Sequence, residues 1–283
     1  MINLYKKNKK TVLKFLKKIY FNLFLKDISK EGYYHYLKNL VFEFLKTRYP
    51  EYDKDVFEKK IDYIINNKDF YLDLEEELDT LFNPNFNDDL EFHYKNYERK
   101  IFFRLISYSL NKKLISQKYT DIYDFGINEI KEPLSILEIG GGIPHGLIHN
   151  VWKKEKTFIK NFTYVDANLL HSEFVKWYCN KLNISNEIKL FKPSKTPTLD
   201  EIKFNFVFAK DVFEHLDAPE MLIDYLIDNT GNNKTLLCLD LEHKGKKIGQ
   251  HISPNLPILK ERLIKNNFEV INKFNEIHVW KKK

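Results

Sequence analysis

The chain has 283 residues, enough for one large domain or for one domain with a sizeable appendage. Its 43% hydrophobic and 30% charged residues exclude bulk disorder, and only 9 Gly and 9 Pro exclude collagen-like and low-complexity architectures. The two cysteines, Cys179 and Cys238, lie in apolar runs and exclude a disulfide framework; they read as buried thiols of a reducing compartment.

The net charge of +6 is concentrated at one end, because residues 1–30 hold nine lysines against one acid, Asp27. Lys14, Lys17 and Lys18 interrupt the apolar run there and no small-residue cleavage site follows, so the segment does not read as a secretory signal. No apolar stretch approaches the ~20 residues that a membrane span needs. A cytoplasmic protein is expected. Over 12–25, Leu13, Leu16, Tyr20, Leu23 and Phe24 fall at helical spacing. Such a basic amphipathic helix either packs its stripe on the rest of the protein or lies on an anionic surface. The second reading would give residues 1–30 a peripheral contact at the inner membrane face, and both stay open.

Further helical patterns follow over 34–47 after Gly32, over 54–66, and over 70–82 with its acidic cluster Asp73, Glu75, Glu76 and Glu77. Asn83-Pro84-Asn85 breaks the pattern. An aromatic helix over about 90–112 then presents Phe92, His93, Tyr94, Tyr97, Glu98 and Arg99. Residues 1–130 are thus expected to form an all-helical N-terminal domain, set over the acceptor side or against a membrane or partner.

From residue 134 the texture changes. Short apolar runs at 134–139, 162–165, 187–191, 204–209 and 235–241 read as strands, and 146–156, 169–182 and 219–229 read as helices. Alternation at this spacing implies right-handed βαβ units and a parallel sheet. Two last strands, about 268–274 and 276–281, are joined so tightly at Asn275 that they read as a hairpin, bringing one antiparallel strand into the sheet.

The first strand ends Ser135-Ile136-Leu137-Glu138-Ile139 and runs into Gly140-Gly141-Gly142-Ile143-Pro144-His145-Gly146. A glycine-rich turn between strand and helix lets the backbone approach a ligand and aims helix N–H groups at an anionic group. The next strand ends Tyr164-Val165-Asp166, where a carboxylate can grip ribose hydroxyls. His145 stands where a dinucleotide fingerprint requires a small residue, and no Gly-Lys-Ser/Thr follows to make a P-loop. Nicotinamide and ATP therefore both fit poorly.

These residues resemble the class I S-adenosylmethionine-dependent methyltransferase family, of the small-molecule or sugar type, over about 134–281. Glu138-Ile139-Gly140-Gly141-Gly142 is similar to its first motif, Asp166 to its ribose-binding acid, and Ala209-Lys210-Asp211-Val212-Phe213-Glu214-His215-Leu216 to its fourth-strand motif. The chain departs from the family at Pro144, often a third glycine, and at Phe191-Lys192-Pro193-Ser194, where an Asp or Asn often meets the adenine amine. The resemblance implies an α/β fold: a Rossmann-like, seven-stranded, mostly parallel sheet with helices on both faces, spanning 131–283. It also implies S-adenosyl-L-methionine as cofactor, held by Glu138, Gly140, Gly141, Gly142, Asp166 and Asp211. Helix N–H groups from Gly142 onward are expected to receive its carboxylate.

Transfer of an activated methyl group asks the protein mainly to align the acceptor and take its proton. Asp211, Glu214 and His215 sit at i, i+3 and i+4, which a helical turn would bring to one face. After the fifth strand come Asp240, Glu242 and His243, then Gly249-Gln250-His251-Ile252-Ser253-Pro254. The latter resembles the His–apolar–Ser/Thr–Pro segment of sugar and small-molecule methyltransferases, which implies His251 as the base. The catalytic candidates are His251, His215 and Asp211, and the substrate-binding candidates are Tyr94, Tyr97, Arg99, Glu214 and His243. In this reading no metal is used, no DNA partner is expected, and the acceptor is a hydroxyl of a sugar, nucleotide-sugar or other small polar metabolite. Two alternatives stay open. One is an RNA methyltransferase with a divalent ion at Asp211, Glu214, His215 and His251. The other is a cofactor-fold protein that binds or scaffolds without catalysis.

Overall fold

The computed structural model describes residues 26–48, 50, 53–55, 58–59, 105, 109–110, 119–154, 156–192, 195–199, 202–231, 233–242 and 256–283. The helices expected over 12–25, 54–66, 70–82 and 90–112 lie wholly or largely outside them. The described helices are α1 (Lys26–Arg48), α2 (Tyr119–Ile130), α3 (His145–Lys154), α4 (Leu169–Lys181), α5 (Pro219–Asn229) and α6 (Pro257–Lys265). The strands are β1 (Leu134–Ile139), β2 (Ile159–Asp166), β3 (Asn186–Leu190), β4 (Phe206–Ala209), β5 (Leu236–Asp240), β6 (Phe268–Phe274) and β7 (Ile277–Lys282).

All seven strands form one sheet in the order β3-β2-β1-β4-β5-β7-β6. The first five pair in parallel, and β7 runs antiparallel to both β5 and β6. The hairpin expected near Asn275 is present: Asn275 takes φ 53° between the ends of β6 and β7, a left-handed conformation that Asn tolerates better than most residues. Strand order reverses between β1 and β4, so the crevice beyond their carboxyl ends is the topological switch point, where open α/β sheets bind ligands.

Both faces of the sheet are covered, and the alternation of side chains along each strand decides which residue serves which face. Ile136, Phe162, Tyr164, Phe206, Phe208 and Cys238 pack with residues of α1, α2, α3 and α4. Leu137, Ile139, Val165, Val207 and Leu237 pack with those of α5 and α6. Each of these large apolar side chains contributes roughly 1.5–3 kcal/mol on burial.

Two features differ from the expected pattern. Helix α1 does not begin after Gly32 but runs through it. A Cβ at that position would make an ordinary 3.4 Å contact with the Trp152 ring on α3, so the glycine neither stops the helix nor is required by its packing. Helix α2 was not among the expected helices, although Tyr119, Ile122, Tyr123, Ile127 and Ile130 fall at helical spacing around Gly126. Tertiary contact explains the glycine: a Cβ on Gly126 would meet Phe206 Cε2 at 2.4 Å, and only the bare backbone can lie this close to β4.

Candidate active site

The glycine turn leaves β1 with Gly140 and Gly142 both at φ 60°, the left-handed region that L side chains avoid. A Cβ on Gly140 would meet Val212 Cγ2 at 2.6 Å, and one on Gly141 would meet Glu138 Oε1 at 2.4 Å. The turn therefore rests on the Glu138 carboxyl beneath it. Glu138 is only 2% exposed and accepts a 2.5 Å hydrogen bond from the Tyr123 hydroxyl of α2. Burial pushes its pKa up to about 8; the Tyr123 donor works against the shift and the Asp166 charge adds to it. A value this far above an ordinary carboxylate favours the neutral form of the carboxyl at pH 7.

Asp166 ends β2 and faces the turn. Its Oδ2 accepts from the Gly142 N–H at 3.2 Å and from the Tyr164 hydroxyl at 2.6 Å, while Oδ1 accepts from the Asn168 N–H at 2.8 Å. The Tyr164 hydroxyl also contacts the Gly142 carbonyl. The amides expected to point outward from Gly142 do not all do so. Gly142 donates to Asp166, His145 donates to Ile143 O at 2.7 Å, and Pro144 has no N–H to offer. Packing of the turn against its own acceptors is the reason.

The third wall follows β4. Asp211 takes φ 52°, and only Phe213–His215 form a helical turn, of the tight 3₁₀ type. The expected helical face of Asp211, Glu214 and His215 is thus not formed, because the left-handed residue turns the chain before the helix starts. Asp211 is exposed (61% for its side chain), whereas the Glu214 side chain is 7% exposed and lies 4.0 Å from His215 Nε2. Lys210 donates to Asp211 Oδ2 at 2.6 Å and sits 5.3 Å above the Tyr119 ring of α2. Burial disfavours the Lys210 charge, but the Asp211 charge and the hydrogen bonds to Asp211 and Tyr119 outweigh it and raise its pKa.

Asp240 closes the group from the end of β5, 8% exposed, with Oδ1 accepting the Glu242 N–H at 3.2 Å. Burial raises the Asp240 pKa, and Asp211 adds to the effect. Burial likewise raises Glu214 to about 7; its own backbone N–H works against the shift, while Asp211 and Asp240 reinforce it. A carboxyl poised at neutral pH, beside charged groups at a strand-end crevice, has the electrostatics of a proton-transfer site.

The structure therefore brings together Glu138, Gly140, Gly141, Gly142 and Asp166 on one side of the crevice, and Asp211, Glu214 and His215 on the other. His251, His243, Tyr94, Tyr97 and Arg99 lie outside the described residues. Among the described residues no group of three or more His, Cys, Asp or Glu is arranged to hold a metal ion. Sequence reasoning passed over Tyr119, Tyr123, Tyr164 and Lys210. Only Tyr164 left a usable sign, since strand alternation puts it on the same face as Asp166 two residues on.

No protein-family model and no curated relative matches the chain. Solved structures do. An O-methyltransferase family protein from Burkholderia thailandensis is 9% identical, with a TM-score of 0.54 over 79% of this chain and 72% of that one. The CMeT domain of the citrinin polyketide synthase is 13% identical, with a TM-score of 0.49 over 74% of this chain and 65% of that one. The chain spans 59% of the length of the [4+2]-cyclase SpnF, at 12% identity and a TM-score of 0.39 over 54% of its own length. The likeness to the Burkholderia protein, together with the sheet order and its antiparallel β7, gives this chain the class I methyltransferase fold, as the residues of its first, second and fourth strands had implied.

Proposed function

We propose that the protein is an S-adenosylmethionine-dependent methyltransferase that modifies a hydroxyl of a small polar acceptor, with sugars and nucleotide-sugars the first class to test. The observation that carries this reading is the meeting, at one switch point, of a glycine turn, a strand-end carboxylate and a buried carboxyl suited to proton transfer. The residues fit the cofactor. Gly140 and Gly142 bare the backbone for close approach, and Asp166 offers a carboxylate to vicinal ribose hydroxyls. When bound, the cofactor supplies an activated methyl group on a sulfonium.

The chain's own residues then have three tasks. The glycine turn and Asp166 hold and orient the cofactor. Glu214 and His215, adjacent in the turn after β4, take the acceptor's proton, with His251 a further candidate base from the sequence. Asp211 and Lys210, ion-paired at the rim, fix the charge that Glu214 feels and align the acceptor. Tyr94, Tyr97, Arg99 and His243 are assigned to acceptor binding on the sequence reading alone.

The test combines binding and transfer. Asp166→Ala should abolish binding of S-adenosylhomocysteine while leaving the protein folded, as circular dichroism would show; retained affinity would remove Asp166 from the site. Labelled methyl from S-adenosylmethionine should enter the small polar or glycan fraction of a cell extract. Label confined to RNA would overturn the acceptor class.

A further inference from the structure

We infer that Tyr164 is a positioning residue that locks the glycine turn to the Asp166 carboxylate and so sets how strongly the site selects for ribose hydroxyls. The inference rests on the reading of Asp166 given above. Tyr164 and Asp166 are two residues apart on β2 and project to the same face. The Tyr164 ring is fully buried and stacks on Phe162 at 6.2 Å between centroids and 25° between planes, so its hydroxyl has little freedom to wander. That hydroxyl reaches two acceptors at once, Asp166 Oδ2 at 2.6 Å and the Gly142 carbonyl. Gly142 is consequently held at both ends of its backbone, by its N–H on Asp166 and by its carbonyl on Tyr164.

A phenol carries one proton, and here two acceptors compete for it. While the phenol proton lies on Asp166 Oδ2, the carboxylate is held in one orientation by three donors, Tyr164, Gly142 and Asn168. A carboxylate has about four lone-pair directions, so the one left open keeps a fixed aim at a ligand hydroxyl. Without the phenol the carboxylate is free to turn, and that aim is lost. Selectivity for hydroxyls thus depends on the phenol oxygen as well as on the carboxylate.

The experiment is equilibrium binding by calorimetry of S-adenosylhomocysteine and its 2′-deoxy and 3′-deoxy ribose analogues to wild type, Tyr164→Phe and Asp166→Asn. Wild type should prefer the parent compound over each analogue by about tenfold or more, the effect of one hydrogen bond to a charged group. Tyr164→Phe should weaken the parent by about tenfold and the analogues by less than about threefold, so that the preference largely collapses. Because the preference is a ratio within one variant, any fraction of misfolded protein cancels from it. A Tyr164→Phe protein that binds all three ligands more weakly but keeps the wild-type ratio would show a merely structural role and overturn the inference. Wild type that binds the parent yet does not discriminate, or Asp166→Asn that discriminates as wild type does, would overturn the Asp166 reading and the inference with it.

Discussion

Tyr123 on α2 donates a 2.5 Å hydrogen bond to Glu138 Oε2 at the end of β1, and both side chains are shut away from solvent. This single bond fastens the helix before the sheet to the acid under the glycine turn, and it has a consequence for pH. The unfolded chain loses the Glu138 proton near the ordinary carboxylate value of 4.5, whereas the folded protein keeps it up to about 8. Between those values the folded state binds more protons, so stability is greatest below the lower value and falls as pH rises through the window. The slope from this group cannot exceed about 1.4 kcal/mol per pH unit. Glu138→Gln, which stays neutral and still accepts from Tyr123, should flatten that part of the stability profile in urea titrations between pH 5 and pH 8. An unchanged slope would mean that Glu138 is already ionised in the folded protein.

The turn above that acid should tolerate no side chain. Gly140 is left-handed at φ 60° and would drive a Cβ to 2.6 Å from Val212 Cγ2. Gly140→Ala should therefore cost about 2 kcal/mol or more, from backbone strain and displacement of the chain after β4 together. Gly231 supplies the comparison, since a Cβ there meets nothing within 4 Å. Gly231→Ala should stay within about 0.5 kcal/mol of wild type. Denaturant midpoints measured side by side decide the matter, and similar losses in both variants would show that the turn is not under the restraint described.

Strands β1, β4 and β5 were legible because each is a short apolar run buried along almost its whole length; the edge strands β3 and β6 carry exposed polar residues and were legible from the helices and turns around them. The glycine turn and Asp166 were legible for a chemical reason, since spacing along two successive strands fixes where their ends meet. What escaped notice was held by tertiary contact. Helix α2 has a mid-helix glycine that propensity penalises and Phe206 requires. The hydroxyls of Tyr123 and Tyr164 look like ordinary aromatic core in a sequence rich in tyrosine, and only the fold shows that each tip finds a carboxylate. Asp211 illustrates the opposite error, because its spacing to Glu214 suggested a helical face that the left-handed backbone rules out.

Helix α1 is joined to the sheet domain by two kinds of contact that should differ greatly in worth. Leu37, Val41 and Phe44 are buried in the same cluster as α3 and α4, with Phe44 edge-on to Phe174 at 5.4 Å. The ion pairs Arg48–Glu173 and Lys181–Glu43 lie at the surface. Leu37→Ala should cost about 2–5 kcal/mol, whereas Glu43→Ala should cost less than about 1 kcal/mol and lose that little at high salt. If α1 were only loosely attached, Leu37→Ala would leave the main unfolding transition where it is, which thermal melts would show at once.

The carboxyl after β4 makes the sharpest kinetic prediction. Burial, with Asp211 and Asp240 nearby, holds Glu214 at about 7, well above an ordinary carboxylate. A group that takes the acceptor's proton must first be ionised, so kcat/KM should rise with pH through an inflection near 7 and level off above it. Asp211→Asn removes a neighbouring negative charge and should move that inflection downward, because the charged form of Glu214 is then less opposed. Glu214→Gln should remove the inflection altogether and lower turnover by about 10²–10⁴-fold, with cofactor affinity little changed. The two variants separate roles that a single loss of activity would confuse. A shifted inflection in Asp211→Asn with a vanished one in Glu214→Gln places the proton on Glu214. An inflection that survives in Glu214→Gln moves it to another group, and His215, 4.0 Å away in the same turn, is then the residue to replace.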